Sequence, residues 1–367
     1  MNTAQHYTLY GAELSLYTGK IRAYLRYKEI PFEEVMSTKK VYEKIIVPNT
    51  GVRFIPVLQT PEGKYLQDTA VMIDQLELDF PKRKIIPSTS KQALISAMFE
   101  MWGDEWLLLP AMHYRWNKEN FPFIYEEFGS FVTPGMPAFI RRYIGKKVGA
   151  KFRSFVPLLG IKPHTQAAIE DWYENHVLPL LDKHFAEHNY LLGGRPCVGD
   201  YGLMGPLYAH LYRDPAPGRL MREKAPNVAK WVERMNSNNQ QMGDWLANDE
   251  IPSTLFELLQ RQLDEFWPVA CEVADITQEW MSVNPEQLEL PRSVGESDFT
   301  MGNTKGRKAA ASFTQWKLQR VLDVYKALDS EAQDSVNDFF STFATKGLFA
   351  YEFNNRVARQ NNRLVRA

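Results

Sequence analysis

The sequence predicts an α/β module followed by a larger all-helical region. Three observations support this. Strand and helix signals alternate over roughly the first 88 residues. A polar, proline-containing stretch from Pro81 to Ser90 then interrupts them. Beyond it, almost every periodic segment has helical spacing. A chain of 367 residues exceeds one ordinary domain, so two or three structural units are expected.

Tyr7-Thr8-Leu9-Tyr10 reads as a short strand of aromatic and β-branched residues. A helix is expected from Thr18 to Lys28, with Ile21, Tyr24, Leu25 and Lys28 spaced along one face and Ile30-Pro31 ending it. Phe32 to Met36 forms a second strand, and a helical stretch comes next near Lys39 to Val47. Phe54 to Leu58, Thr60 to Gly63 and Lys64 to Leu66 read as strand, turn and strand. A last helix opens at Asp68-Thr69 and runs through Val71, Ile73, Leu76 and Phe80. This order of elements is the thioredoxin-like pattern.

Downstream, Ile95, Met98, Phe99, Trp102 and Trp106 follow helix spacing. So do Ile169, Trp172, Tyr173 and Val177; Leu255, Leu258, Leu259, Phe266 and Trp267; Leu318, Val321, Leu322, Tyr325 and Leu328; and Val336, Phe339, Phe340 and Phe343. Such stripes are how helices pack, so they read as core and not as cofactor boxes. Pro291-Arg292, Gly295 and Phe299 through Gly302 read as loop or turn.

With 43 basic and 44 acidic residues, the net charge of −1 gives no global field favouring nucleic acid or a membrane surface. Cys197 and Cys271 are the only cysteines and stand far apart, which argues against a disulfide framework and a cysteine zinc site. Met1 to Gly11 shows no secretory pattern, and no run approaches the ~18 apolar residues of a membrane span, so the cytoplasm is the expected location.

Two N-terminal patterns carry a family resemblance. Gly11-Ala12-Glu13-Leu14-Ser15-Leu16-Tyr17-Thr18-Gly19-Lys20-Ile21-Arg22 passes from strand to helix. It resembles the active-site loop of serine- and cysteine-type glutathione transferases, in which the catalytic side chain lies seven residues before the second basic residue of the helix start. Counting back from Arg22 reaches Ser15. Ile55-Pro56-Val57-Leu58 and Gln67-Asp68-Thr69-Ala70-Val71 resemble the family's Val-Pro and Glu/Gln-Ser elements. Downstream, Tyr190 to Asp200 is similar to the family's helix-capping element, with Cys197 at the usual Ser/Thr position and Asp200 retained. Pro226-Asn227-Val228, Trp231 and Met235 are similar to its closing helix. The resemblance covers roughly residues 5 to 245.

The resemblance implies a thioredoxin-like glutathione-binding domain over 1–85 and an all-helical transferase-type domain over 90–250 with an insert near 115–160. A helical extension over 251–367 would pack on the helical domain. It also implies glutathione as co-substrate, a small hydrophobic electrophile as partner, a homodimer and a role in detoxification. Ser15 would hydrogen-bond the glutathione sulfur, with Tyr10 and Thr18 as alternates and Tyr17 as a further hydroxyl that could line the substrate pocket. Pro56 would be a cis proline that frees the Ile55 backbone to pair with the cysteinyl unit of glutathione. Thr69 would hold the γ-glutamyl carboxylate at a helix start and Asp68 its ammonium. Plainer readings stand beside these: Ser15 as a cap or turn residue, Pro56 as a trans edge proline, and Asp68-Thr69 as an ordinary N-cap pair.

Other signals are set aside. His184-Phe185-Ala186-Glu187-His188 matches a zinc-protease pattern, but no third ligand stands out, and no metal is expected. Gly199, Gly202 and Gly205 suit close helix contact. The segment from Pro134 to Pro157 carries Arg141, Arg142, Lys146, Lys147, Lys151 and Arg153 with no acid. It reads as a solvated helix or a lid, with membrane contact the less favoured reading. Two functions are compatible with these signals: a glutathione transferase-like enzyme, and, as the alternative, a non-catalytic scaffold that kept the fold. A serine in place of a cysteine at position 15 argues against glutaredoxin-like chemistry.

Overall fold

The computed structural model describes residues 6–238, 242–343 and 347–367. They form two compact units. The first gathers the described residues within 1–84, 110–156 and 204–242, and the second those within 85–109, 157–203 and 243–367.

The first unit is built on a four-stranded sheet in the order β2-β1-β3-β4. β1 (Tyr7–Gly11) pairs in parallel with β2 (Phe32–Met36) through helix α1 (Leu16–Tyr27). β3 (Val57–Gln59) runs antiparallel to β1, with Leu9 opposite Leu58 and Tyr10 opposite Val57. β4 (Tyr65–Gln67) closes the sheet as a hairpin with β3, and α2 (Thr69–Asp79) comes after it. This is the thioredoxin-like arrangement, with residues 39–50 helical between β2 and β3. The two ends of α1 show why it forms where it does. Ser15 caps its start, and at its other end the chain turns through Lys28 and Glu29 (φ 56°) into Ile30-Pro31. Ile21, Tyr24 and Leu25 are fully buried, so α1 presents an apolar face to the core.

Two further helices of this unit, α3 (Phe121–Val132) and α4 (Ala138–Arg153), form an antiparallel hairpin. Trp116, Ile124 and Phe128 make its buried core, with Leu14 and Met112 packed against it.

The second unit holds most of the remaining helices, including Ser90–Glu105, Trp267–Val283 and Ser312–Lys326. Gly199 and Gly202 lie against Ser90–Glu105, where a Cβ at 202 would sit 2.5 Å from the Glu100 Cα. This is the close contact that their spacing suggested. Asp200 is fully buried and accepts from the amides of Leu191 at 3.1 Å and Cys197 at 2.8 Å. The His184 ring is likewise committed, with Nδ1 2.7 Å from the Thr254 hydroxyl.

The extension departs from a purely helical reading. Gly295 and Phe299 to Met301, expected as loop or turn, lie in β5 (Ser293–Met301), which pairs antiparallel with β6 (Thr304–Ala311). A second hairpin joins β7 (Val357–Gln360) and β8 (Arg363–Arg366). The inward positions of the first hairpin are Ser297, Phe299 and Met301 from β5 and Gly306, Lys308 and Ala310 from β6. Small and charged residues on a buried face hide the apolar alternation by which a strand is normally read. No helix among the described residues is long and apolar enough to cross a membrane.

Candidate active site

The loop from β1 into α1 is set by close packing. A Cβ on Gly11 would lie 2.3 Å from Cγ2 of Thr18, so only glycine fits there. The Ala12 amide donates to Thr18 Oγ1 at 3.3 Å, and the Ser15 amide donates to the Ala12 carbonyl at 2.9 Å. Ser15 then caps α1 from an extended conformation (φ −89°, ψ 124°), accepting from the Thr18 amide at 3.3 Å.

The three hydroxyl candidates are thereby separated. Thr18 is fully buried, and its oxygen closes the loop. Tyr10 points into a cluster with Ile46 and Val57, and its hydroxyl donates to Gln59 Oε1 at 2.9 Å. Burial, then Tyr65 and Glu33, holds the Tyr10 phenol above its ordinary value. Ser15 is half-buried and spends only acceptor capacity on the cap. A hydroxyl has one donor and two acceptor lone pairs, so the Ser15 proton is uncommitted among the described residues. Tyr17 lies half-buried in the first turn of α1.

The Ile55–Pro56 bond is cis, with Pro56 buried and Ile55 half-buried. Among the described residues, neither the N–H nor the C=O of Ile55 has a hydrogen-bond partner. Asp68 has φ 81° and ψ 129°, a region that costs a non-glycine residue about 1–3 kcal/mol. Its Oδ1 accepts from the amides of Ala70 at 2.9 Å and Val71 at 3.3 Å, which leaves Oδ2 for a second partner. Thr69 is buried at the first position of α2. Ser15 and Thr69 each open a helix, while Ile55 ends the turn before β3, the strand that pairs with β1.

Sequence reading missed the groups that hold the loop from beneath. Arg115 and Asp214 are both buried and paired bidentately, Nε to Oδ2 and Nη2 to Oδ1, each at 2.8 Å. Asn120 adds a bond to Asp214 Oδ2 at 2.8 Å. Arg115 also donates to the carbonyls of Leu14 and Ala209. The guanidinium therefore grips the residue immediately before Ser15. His210, also buried, is kept well below its ordinary value by burial and then by Arg115.

A second ionic group surrounds Glu13. Arg22 is buried and forks onto Glu34 at 2.6 and 2.7 Å while reaching Glu13 at 2.8 Å. Burial opposes its charge, but Glu34 and Glu13 outweigh that and hold Arg22 above its usual value. Tyr208 donates to Glu13, and burial followed by this carboxylate pushes its phenol up to about 12. These partners lie as much as 195 residues apart, and no local pattern pairs them.

Comparisons with known proteins match two parts of the chain. The model for the glutathione S-transferase N-terminal domain matches residues 9–84, and the model for the C-terminal domain matches residues 145–239. The chain belongs to the glutathione S-transferase superfamily. Its N-terminal match takes in Ser15, Ile55, Pro56, Asp68 and Thr69.

Solved structures similar to part of this glutathione S-transferase-family chain include a GST-like protein from Pseudomonas syringae. It is 19% identical, with 65% of this chain and 69% of that one covered and a TM-score of 0.42. A glutathione S-transferase from Rhodospirillum rubrum F11 is 14% identical, covering 67% and 96% at a TM-score of 0.41. One from Methylobacterium radiotolerans, solved with glutathione sulfonate, is 18% identical, covering 66% and 100% at 0.37. No curated protein matches the chain.

Proposed function

We propose that the chain binds glutathione and uses Ser15 to hold its sulfur as thiolate for attack on a small electrophilic organic compound. The uncommitted proton of half-buried Ser15 at the start of α1 is the observation that supports this reading most, with the Tyr10 proton given to Gln59 and Thr18 fully buried. Ile55 offers an open backbone N–H and C=O for the cysteinyl unit. Thr69 and the start of α2 suit the γ-glutamyl carboxylate, and the outer oxygen of Asp68 suits its ammonium. Tyr17 is offered as part of the electrophile's pocket.

The energetics are of the right size. A free thiol titrates near ~8.5, and lowering it by ~2 units takes about 2.7 kcal/mol of preferential stabilisation of the anion. A charge-assisted bond from Ser15 supplies ~1.5–3 kcal/mol and the amino end of α1 ~0.3–1 kcal/mol. In the reaction the thiol proton leaves to solvent on binding. The sulfur lone pair then forms the carbon–sulfur bond, and the electrophile's leaving group or π-electrons take up the displaced pair. A homodimer in the cytoplasm is the setting proposed with this activity.

The competing reading is a scaffold that kept the fold without the chemistry. Ultraviolet difference absorption of bound glutathione, followed against pH in wild type and Ser15→Ala, separates the two. A thiolate band weakened by the substitution is expected. Tight binding without a thiolate band would favour the scaffold, and absence of binding would remove glutathione as ligand.

A further inference from the structure

Helix α4 carries a face that the rest of its unit leaves open. Phe139, Arg142, Tyr143, Lys146, Lys147 and Ala150 recur at helical spacing and are all exposed, Phe139 at 73% and Tyr143 at 63%. The opposite face is locked onto α3. A Cβ on Gly145 would lie 1.6 Å from the Tyr125 carbonyl oxygen, and one on Gly129 would lie 1.9 Å from that of Arg141. The hairpin itself therefore cannot turn to bury Phe139 and Tyr143. Met136, 49% exposed just before the helix, extends the apolar strip.

The charges decide what can cover it. Glu126 on α3 answers Arg141 at 2.6 Å and Arg142 at 3.0 Å. Lys146, Lys147, Lys151 and Arg153 have no carboxylate within 4.0 Å among the described residues. The Lys147 ammonium instead lies 4.6 Å from the centre of the Tyr143 ring. A second copy docked on this face across a two-fold axis would set these cations against themselves, so the occupant must be anionic. Aromatic rings interleaved with lysines, with no acid along 134–157, suit a headgroup layer: rings enter the acyl boundary while ammonium groups meet phosphates.

We infer that α4 lies flat on anionic lipid bilayers through Phe139 and Tyr143 while Lys146, Lys147 and Lys151 contact the headgroups. This binding is independent of the glutathione chemistry. The test is sedimentation of the full chain with phosphatidylcholine vesicles and with vesicles in which part of that lipid is replaced by phosphatidylserine. Binding is expected only to the anionic vesicles and should fade with added salt. Each lysine near such a surface is worth about fivefold, so Lys146→Gln with Lys147→Gln should weaken binding about thirtyfold. Phe139→Ser should weaken it while leaving its salt dependence unchanged.

Equal affinity for neutral and anionic vesicles, or none for either, would overturn the inference. So would binding to double-stranded DNA without binding to vesicles, or a dimer in sedimentation velocity that Phe139→Ser dissolves. The substituted side chains are solvent-exposed, and circular dichroism of each variant checks that its fold is kept.

Discussion

Replacing Arg115 by Met isolates the buried pair beneath the active-site loop. Arg115 and Asp214 are both shielded from solvent, so water and salt weaken their interaction far less than that of a surface pair. Removing one partner of a buried pair typically costs 3–5 kcal/mol, because the other charge stays behind without compensation. Here Asn120 keeps one bond to Asp214 Oδ2, which relieves part of that cost. The carbonyls of Leu14 and Ala209 also lose their donor, which adds to it. The net expectation for Arg115→Met is a loss of about 4 kcal/mol from a total stability on the order of 5–15 kcal/mol. Adding Asp214→Leu removes the stranded charge and should recover about 2–3 kcal/mol of the loss. Urea denaturation of wild type, both single variants and the double variant, followed by circular dichroism, reads the coupling. Additive losses, with the double variant as unstable as the sum of the singles, would refute the argument. The double variant should also bind glutathione more weakly than wild type, because the Leu14 carbonyl remains unheld.

Ser15→Ala should raise the pKa of bound glutathione by about 1–2 units, the equivalent of one charge-assisted hydrogen bond, as read by thiolate absorbance against pH. The same change removes the cap of α1 and should lower stability by about 1 kcal/mol, whereas Ser15→Thr should largely restore both. Gly145→Ala should destabilise the α3–α4 hairpin by 2 kcal/mol or more, about the cost of forcing a methyl into a backbone contact, and a urea midpoint equal to wild type would contradict the packing. His184 gives a pH dependence whose sign is fixed. Burial and then His188 hold its folded-state pKa down to about 3, against an ordinary value near ~6.5. The unfolded chain therefore binds the extra proton between these values, and stability falls as pH drops through that window. About 2 kcal/mol should be lost between pH 7 and pH 5 on this account. His184→Gln should flatten this part of the urea-midpoint profile, and a profile as steep as wild type would count against it.

How legible each feature was depended on the range of the interactions that make it. Strand β2 falls on Phe32–Met36 as its residues suggest, while α1 starts at Leu16, two residues before the start expected at Thr18. The cap at Ser15 supplies those two positions through its own hydrogen bond. Strand β3 is shorter than the run from Phe54 because the chain up to Pro56 is held outside the ladder. The β5–β6 hairpin was missed because Lys308 and Gly306 face inward, and an inward lysine is tolerable only beside Glu105 and the Trp106 ring, neither visible from the strand itself.

By itself the sequence determined the thioredoxin-like order of elements, the helical character of most of the chain beyond Ser90, and the short list of hydroxyls around Ser15. Those are local properties, written in side-chain period, turn residues and capping chemistry over a few neighbouring positions. Only the tertiary structure decided which hydroxyl can offer its proton to a ligand, since that depends on Gln59 accepting from Tyr10 and on the full burial of Thr18. It also supplied the Arg115–Asp214 clamp and the open face of α4. Charge pairing and burial are set by which distant segments meet, and a linear pattern carries no record of that meeting.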